Sequence, residues 1–62
     1  MSDPCIKIRT AVERLEEKVA QLKADIAIAT PDEKKRLAGQ LTLARNQLHH
    51  ELGRLAACER SV

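Results

Sequence analysis

Thr30-Pro31-Asp32-Glu33 is the stretch that decides how this 62-residue chain folds. It carries four helix-start signals in a row: a hydroxyl able to cap a free backbone N–H, a proline with its φ already set, and two acids where the helix dipole is positive. Glu33 also stands three residues after Thr30, the spacing of a capping box. Pro31 disfavours helical geometry at Thr30, so any helix running into this stretch must stop near Ala29.

On both sides of the stretch the apolar residues keep helical time. Before it, Cys5, Ile8, Val12, Leu15, Val19, Leu22, Ile26 and Ala29 recur at alternating spacings of three and four. After it, Leu37, Leu41, Ala44, Leu48, Leu52, Leu55 and Cys58 follow, again at spacings of three or four, with Val62 at the end. These are the a and d positions of heptads, the seam by which one helix packs on another. Asp3-Pro4 repeats the cap-and-proline device, which predicts a first helix over about 4–29, a tight turn at 30 and a second helix over about 31–59, with Glu59 to Val62 fraying. The expected fold is all-α, a single domain over 1–62: an antiparallel two-helix hairpin of coiled-coil type.

Folding the chain about Thr30 pairs residues whose numbers sum to about 63. Cys5 then meets Cys58, Ile8 meets Leu55, Leu15 meets Leu48, Val19 meets Ala44, Leu22 meets Leu41 and Ile26 meets Leu37. One layer fails: Val12 falls opposite Glu51, while Leu52 comes a residue too late. Either the phase shifts locally or the carboxylate turns to the rim. Glu16 and Arg45 flank the seam closely enough for an exposed ion pair, worth under ~1 kcal/mol.

Composition agrees with helices and restricts function. The chain has no Phe, Trp or Tyr, and its 11 basic and 9 acidic residues are interleaved along it, leaving a net charge of +2. Nothing resembles a basic arm for nucleic acid, and bases would find no aromatic ring to stack on. No apolar run approaches the roughly 18 residues of a membrane span, and Met1-Ser2-Asp3-Pro4 does not begin a signal peptide. A soluble, cytoplasmic chain is expected, or one in an oxidising compartment if its cysteines are bridged.

Cys5 and Cys58 share a layer of the hairpin, the placement a disulfide requires; closing that loop would stabilise by roughly 4 kcal/mol on the chain-entropy model. Two buried thiols filling a core layer would satisfy the same pattern. Two cysteines do not make a zinc site, and His49 and His50, as helical neighbours, point about 100 degrees apart. No metal or cofactor is implied. A two-helix chain offers no cleft for a substrate, and no Ser/His/Asp, Cys/His or paired-carboxylate set is present, so the expectation is a non-enzyme.

The outer face of the second helix is the most informative surface. Its b, c and f positions are Gly39, Thr42, Leu43, Asn46, His49, His50, Gly53, Ala56 and Ala57, none with a fixed charge. A solvated face is normally rich in Lys and Glu. The matching face of the first helix is charged at Lys7, Glu13, Arg14 and Glu17 and turns neutral only near the turn, at Ala20, Gln21, Ala24, Ala27 and Ile28. Each glycine costs ~1 kcal/mol of helix propensity relative to Ala, a cost that either reflects drift or admits a second helix at close range. The expected function is protein–protein interaction as a homodimer, two hairpins joining into a four-helix bundle and acting as adaptor or regulator. Alternatives are a heteromeric co-chaperone or adaptor that docks the second helix on a different protein, and a small RNA-binding regulator with a hairpin-dimer fold. The dilution of Lys34-Lys35-Arg36 by Glu33 and other acids argues against the last.

Overall fold

The computed structural model describes residues 3–61, which form two α-helices and no strand. Helix α1 spans Ile6–Ile28 and helix α2 spans Pro31–Ser61, packed against each other along their length. The place of Val62 in the second apolar series and in the expected fraying lies outside the described residues.

The turn forms where the four start signals stand. Ala29 is extended, at φ −81° and ψ 155°, and its N–H donates to the Ile26 carbonyl at 3.3 Å. The Thr30 carbonyl accepts the first α2 bond, from the N–H of Lys34 at 2.8 Å. The Thr30 hydroxyl oxygen accepts from the N–H of Glu33, but at a long 3.4 Å, and the return bond from the Glu33 side chain is not made. The capping box is therefore half formed.

Both outer boundaries fall within two residues of those expected. Helix α1 begins at Ile6 rather than residue 4, because Asp3 caps a turn in front of the helix. Its Oδ1 accepts from the N–H of Cys5 at 2.8 Å and its carbonyl accepts from the N–H of Ile6 at 3.1 Å, which holds Pro4 and Cys5 in that turn. Helix α2 runs through Ser61, so Glu59 to Ser61 are helical. The Ser61 hydroxyl donates back to the Ala57 carbonyl at 2.9 Å.

The core is the seam. Val19, Leu22 and Ala44 are buried, with Leu37, Leu41 and Leu48 packed around them in the layers nearest the turn. Val12 and Cys5 are buried farther out. At the layer that failed in sequence, the phase does not shift: Glu51, not Leu52, occupies the seam position. The alternation of three and four continues through Leu48, Glu51, Leu55 and Cys58, and the turn and the cysteine layer hold the register at either end. The Glu51 side chain is only 17% exposed and accepts from Arg54 Nη1 at 3.0 and 3.3 Å, while Leu52 is left 45% exposed. No ion pair forms between Glu16 and Arg45. Both are exposed, and such a pair gains too little to hold two long side chains in place.

The hairpin measures 48 × 17 × 11 Å, with a radius of gyration of 14.5 Å. A compact domain of this length would have a radius near 11 Å. The surface shows the same excess: 4927 Å² is exposed, whereas a compact monomer of 6.9 kDa exposes about 4,000 Å².

Candidate interaction surface

Because the seam of α2 faces α1, its b, c and f positions must face away, and all nine are exposed: Gly39, Thr42, Leu43, Asn46, His49, His50, Gly53, Ala56 and Ala57. Leu43, toward the turn end of this face, stands 64% exposed. The helix is unbroken here, with no positive φ at either glycine. A Cβ added at Gly39 or at Gly53 would meet no atom within 4 Å. Neither backbone geometry nor packing inside the hairpin therefore calls for glycine.

The polar residues of this face differ in availability. The Thr42 hydroxyl donates to the Ala38 carbonyl at 3.0 Å, so its donor is used within its own helix. Asn46, His49 and His50 make no side-chain hydrogen bond among the described residues, leaving two amide donors and two imidazoles for a partner or for water. Charge returns only at the ends of α2, with Asp32, Lys35 and Arg36 at one and Arg60 at the other. The opposite surface of the hairpin, the outer face of α1, presents exposed Lys7, Glu13, Arg14 and Glu17.

Three further apolar side chains are exposed: Ile28, which the sequence already placed on the outer face of the first helix, and Ile6 and Leu52, which it did not. Ile28 is 87% exposed beside the turn and Ile6 is 53% exposed at the start of α1, with Leu52 already noted. The first two occupy outer heptad positions, which was the available signal. They lie far apart along α1, by about 33 Å at 1.5 Å per residue, and form no common patch.

The end opposite the turn holds the cysteines. Their sulfurs lie at disulfide distance and their Cα atoms are 5.9 Å apart, near the usual separation for a bridge. Beside them a shallow cleft is lined by Asp3, Pro4, Cys5, Arg9 and Glu59. Arg9 Nη1 donates to Asp3 Oδ2 at 2.7 Å. The Cys5 N–H and then the Arg9 guanidinium hold the Asp3 carboxyl below the usual carboxylate range, and Asp3 in turn raises the affinity of Arg9 for its proton. Asp3 and Arg9 are thus paired with each other, with Glu59 on the same cleft. The described residues contain no group of three or more His, Cys, Asp or Glu placed to hold a metal ion, and no helix long and apolar enough to cross a membrane.

The chain matches no protein-family model, no curated protein and no solved structure, so the exposed neutral face of α2 is the feature from which function has to be argued.

Proposed function

We propose that this protein is a non-catalytic interaction module that works as a homodimer, joined through the outer face of α2. One observation carries the proposal: nineteen residues of helix, Gly39 to Ala57, present an exposed outer face without a fixed charge, and the two glycines in it answer to nothing inside the hairpin. Contact with another helix explains both. Small residues allow close approach, Leu43 supplies an apolar anchor, and Asn46 and the two histidines supply hydrogen bonds.

A second copy is the favoured occupant because of area. The hairpin exposes about 900 Å² more than a compact monomer of its mass, close to the roughly 800 Å² that each partner buries in a standard interface. Pairing also supplies the burial that a chain of this size lacks. The charged face of α1 then stays outside, free to meet a target. In this role the protein is an adaptor or regulator whose specificity lies in α1 and whose stability lies in α2.

Size-exclusion chromatography with light scattering tests the proposal. The chain should run at twice 6.9 kDa, and Leu43→Glu or Gly53→Glu should return it to the monomer mass with its helical circular dichroism retained. Each variant would bury unpaired carboxylates in the dimer, a cost of several kcal/mol. Glu17→Lys, on the outer face of α1, should leave the dimer intact. A monomeric mass at high micromolar concentration would overturn the homodimer and leave this face to a different protein.

A further inference from the structure

The outer face of α2 has an internal symmetry that bears on how two copies would meet. Its central line, one residue in every seven, reads Asp32, Gly39, Asn46, Gly53, Arg60, and all five are exposed. Reversed about Asn46, the line maps Gly39 onto Gly53 and Asp32 onto Arg60. We infer that two copies pair with their α2 helices antiparallel, on a twofold axis through Asn46, so that Asp32 of each copy faces Arg60 of the other. The inference rests on the homodimer proposed above and specifies its geometry.

Charge complementarity selects this arrangement. A parallel pairing on the same face would set Asp32 against Asp32 and Arg60 against Arg60, and like charges brought together at an interface are costly. The antiparallel pairing turns both contacts into attractions and sets Lys35 and Arg36 against Ala57 and Ala56 of the other copy, where a parallel pairing would set each against its own like. It also sets glycine against glycine on either side of the axis, where neither backbone carries a Cβ, and this permits a separation near the short end of the 8–10 Å range for packed helices. At the axis itself Asn46 meets its own copy. An amide carries both donor and acceptor and can satisfy itself across a twofold, and a single buried Asn is a known device for fixing helix register.

A second consequence follows from the position of the face on α2, directly opposite the α1 seam. Joined back to back, the two α2 helices lie in the middle and each α1 lies outside. The four helices then form a flat row, α1–α2–α2–α1, rather than a square bundle, and α1 of one copy does not touch the other copy at all.

Asp32 and Arg60 would also be favourable in an isolated helix, since the first lies in the first turn of α2 and the second in the last, where the dipole welcomes an acid and a base. Charge reversal separates the two roles because they give the double variant opposite outcomes. Asp32→Arg alone and Arg60→Asp alone should each weaken the dimer about tenfold, since each puts two like-charge contacts in place of two attractions. The double variant Asp32→Arg/Arg60→Asp should bring the dissociation constant back to within about threefold of the original, through re-formed pairs of reversed sign. If the charges serve only the dipole, the dimer constant will not respond to either single change and the double variant will be the least thermally stable.

Cross-linking gives a second measurement that does not depend on stability. Asn46→Cys, treated with a short bismaleimide, should give a covalent dimer with itself. Gly39→Cys and Gly53→Cys should each fail alone and succeed when mixed. The unmodified chain, with Cys5 and Cys58 present, is the control. A dimeric mass together with self-cross-linking at residue 39 or 53, or with no recovery in the double variant, overturns the antiparallel register and leaves the homodimer standing. A monomeric mass for the unmodified chain overturns both.

Discussion

At the scale of single residues, Thr30 and Asp3 show how far a side chain acts beyond its own position. Thr30 accepts the N–H of Glu33 at 3.4 Å, so Thr30→Ala should lower stability by no more than about 1 kcal/mol, at the modest end for a helix cap. A shift in urea midpoint well beyond that would mean that the hydroxyl also holds the turn. Asp3 has its proton affinity lowered by the fold, through the Cys5 N–H and then the Arg9 guanidinium. Its folded pKa lies below its unfolded value of about 3.8, so its contribution is present in full above that value and disappears as pH falls through the lower, folded pKa. The stability difference between the native chain and Asp3→Asn should therefore be constant from pH 7 to pH 5 and shrink as pH falls below the unfolded value of 3.8, which thermal melts at descending pH would show. The roles of these two residues were unequally visible. Thr30 is legible because its signals are local and adjacent, whereas the Asp3 pairing with Arg9 spans the helix start and depends on Pro4 and Cys5 forming a turn first. Leu52 misleads for a related reason: it is apolar and next to the seam, and only the uninterrupted alternation through Glu51 shows that a carboxylate takes the layer.

At the scale of elements, the two helices differ in what their outer faces do. The existence of both, and the tight connection, are legible because heptad spacing and proline act within a few residues. Their outer boundaries are legible only to within two residues, because Ser61 and Asp3 extend or delay helices by hydrogen bonds that no spacing rule contains. The neutral face was legible too, but only as an absence of charge; that its glycines have nothing near them is a structural fact. It supports a prediction for α2. Gly53→Ala should stabilise the isolated hairpin by up to ~1 kcal/mol, since the added Cβ meets open space and Ala favours helix. The same methyl would stand between paired helices, so dissociation of the dimer should become easier while melting at low concentration rises. Concentration-dependent melts of the two chains would display this crossing. Parallel gains in both would show that Gly53 does not face a partner.

At the scale of the whole molecule, an elongated hairpin with a thin seam depends on what happens at its two ends. The turn joins one end, and Cys5 and Cys58, 53 residues apart in sequence, meet at the other. Mass spectrometry of the native protein without reductant should find it two hydrogens lighter than its sequence. Reduction should then lower stability by up to roughly 4 kcal/mol, and by less where dimer pairing carries part of the fold. Two free thiols in protein kept oxidised would show that the cysteines only fill their layer.

With its cysteines bridged, the chain from residue 5 to residue 58 is a closed ring. Cleavage at one peptide bond within a ring opens it but releases no fragment. A protease cutting after Lys34 or Lys35, just past the turn, would leave α1 and α2 as separate segments still tied through their sulfurs, each holding the other at high effective concentration. The mass would rise by one water and the helices could remain paired, whereas the same cut after reduction would let the halves diffuse apart. Cut and reduction thus combine as a logical AND: neither event alone separates the two helices, and both together do.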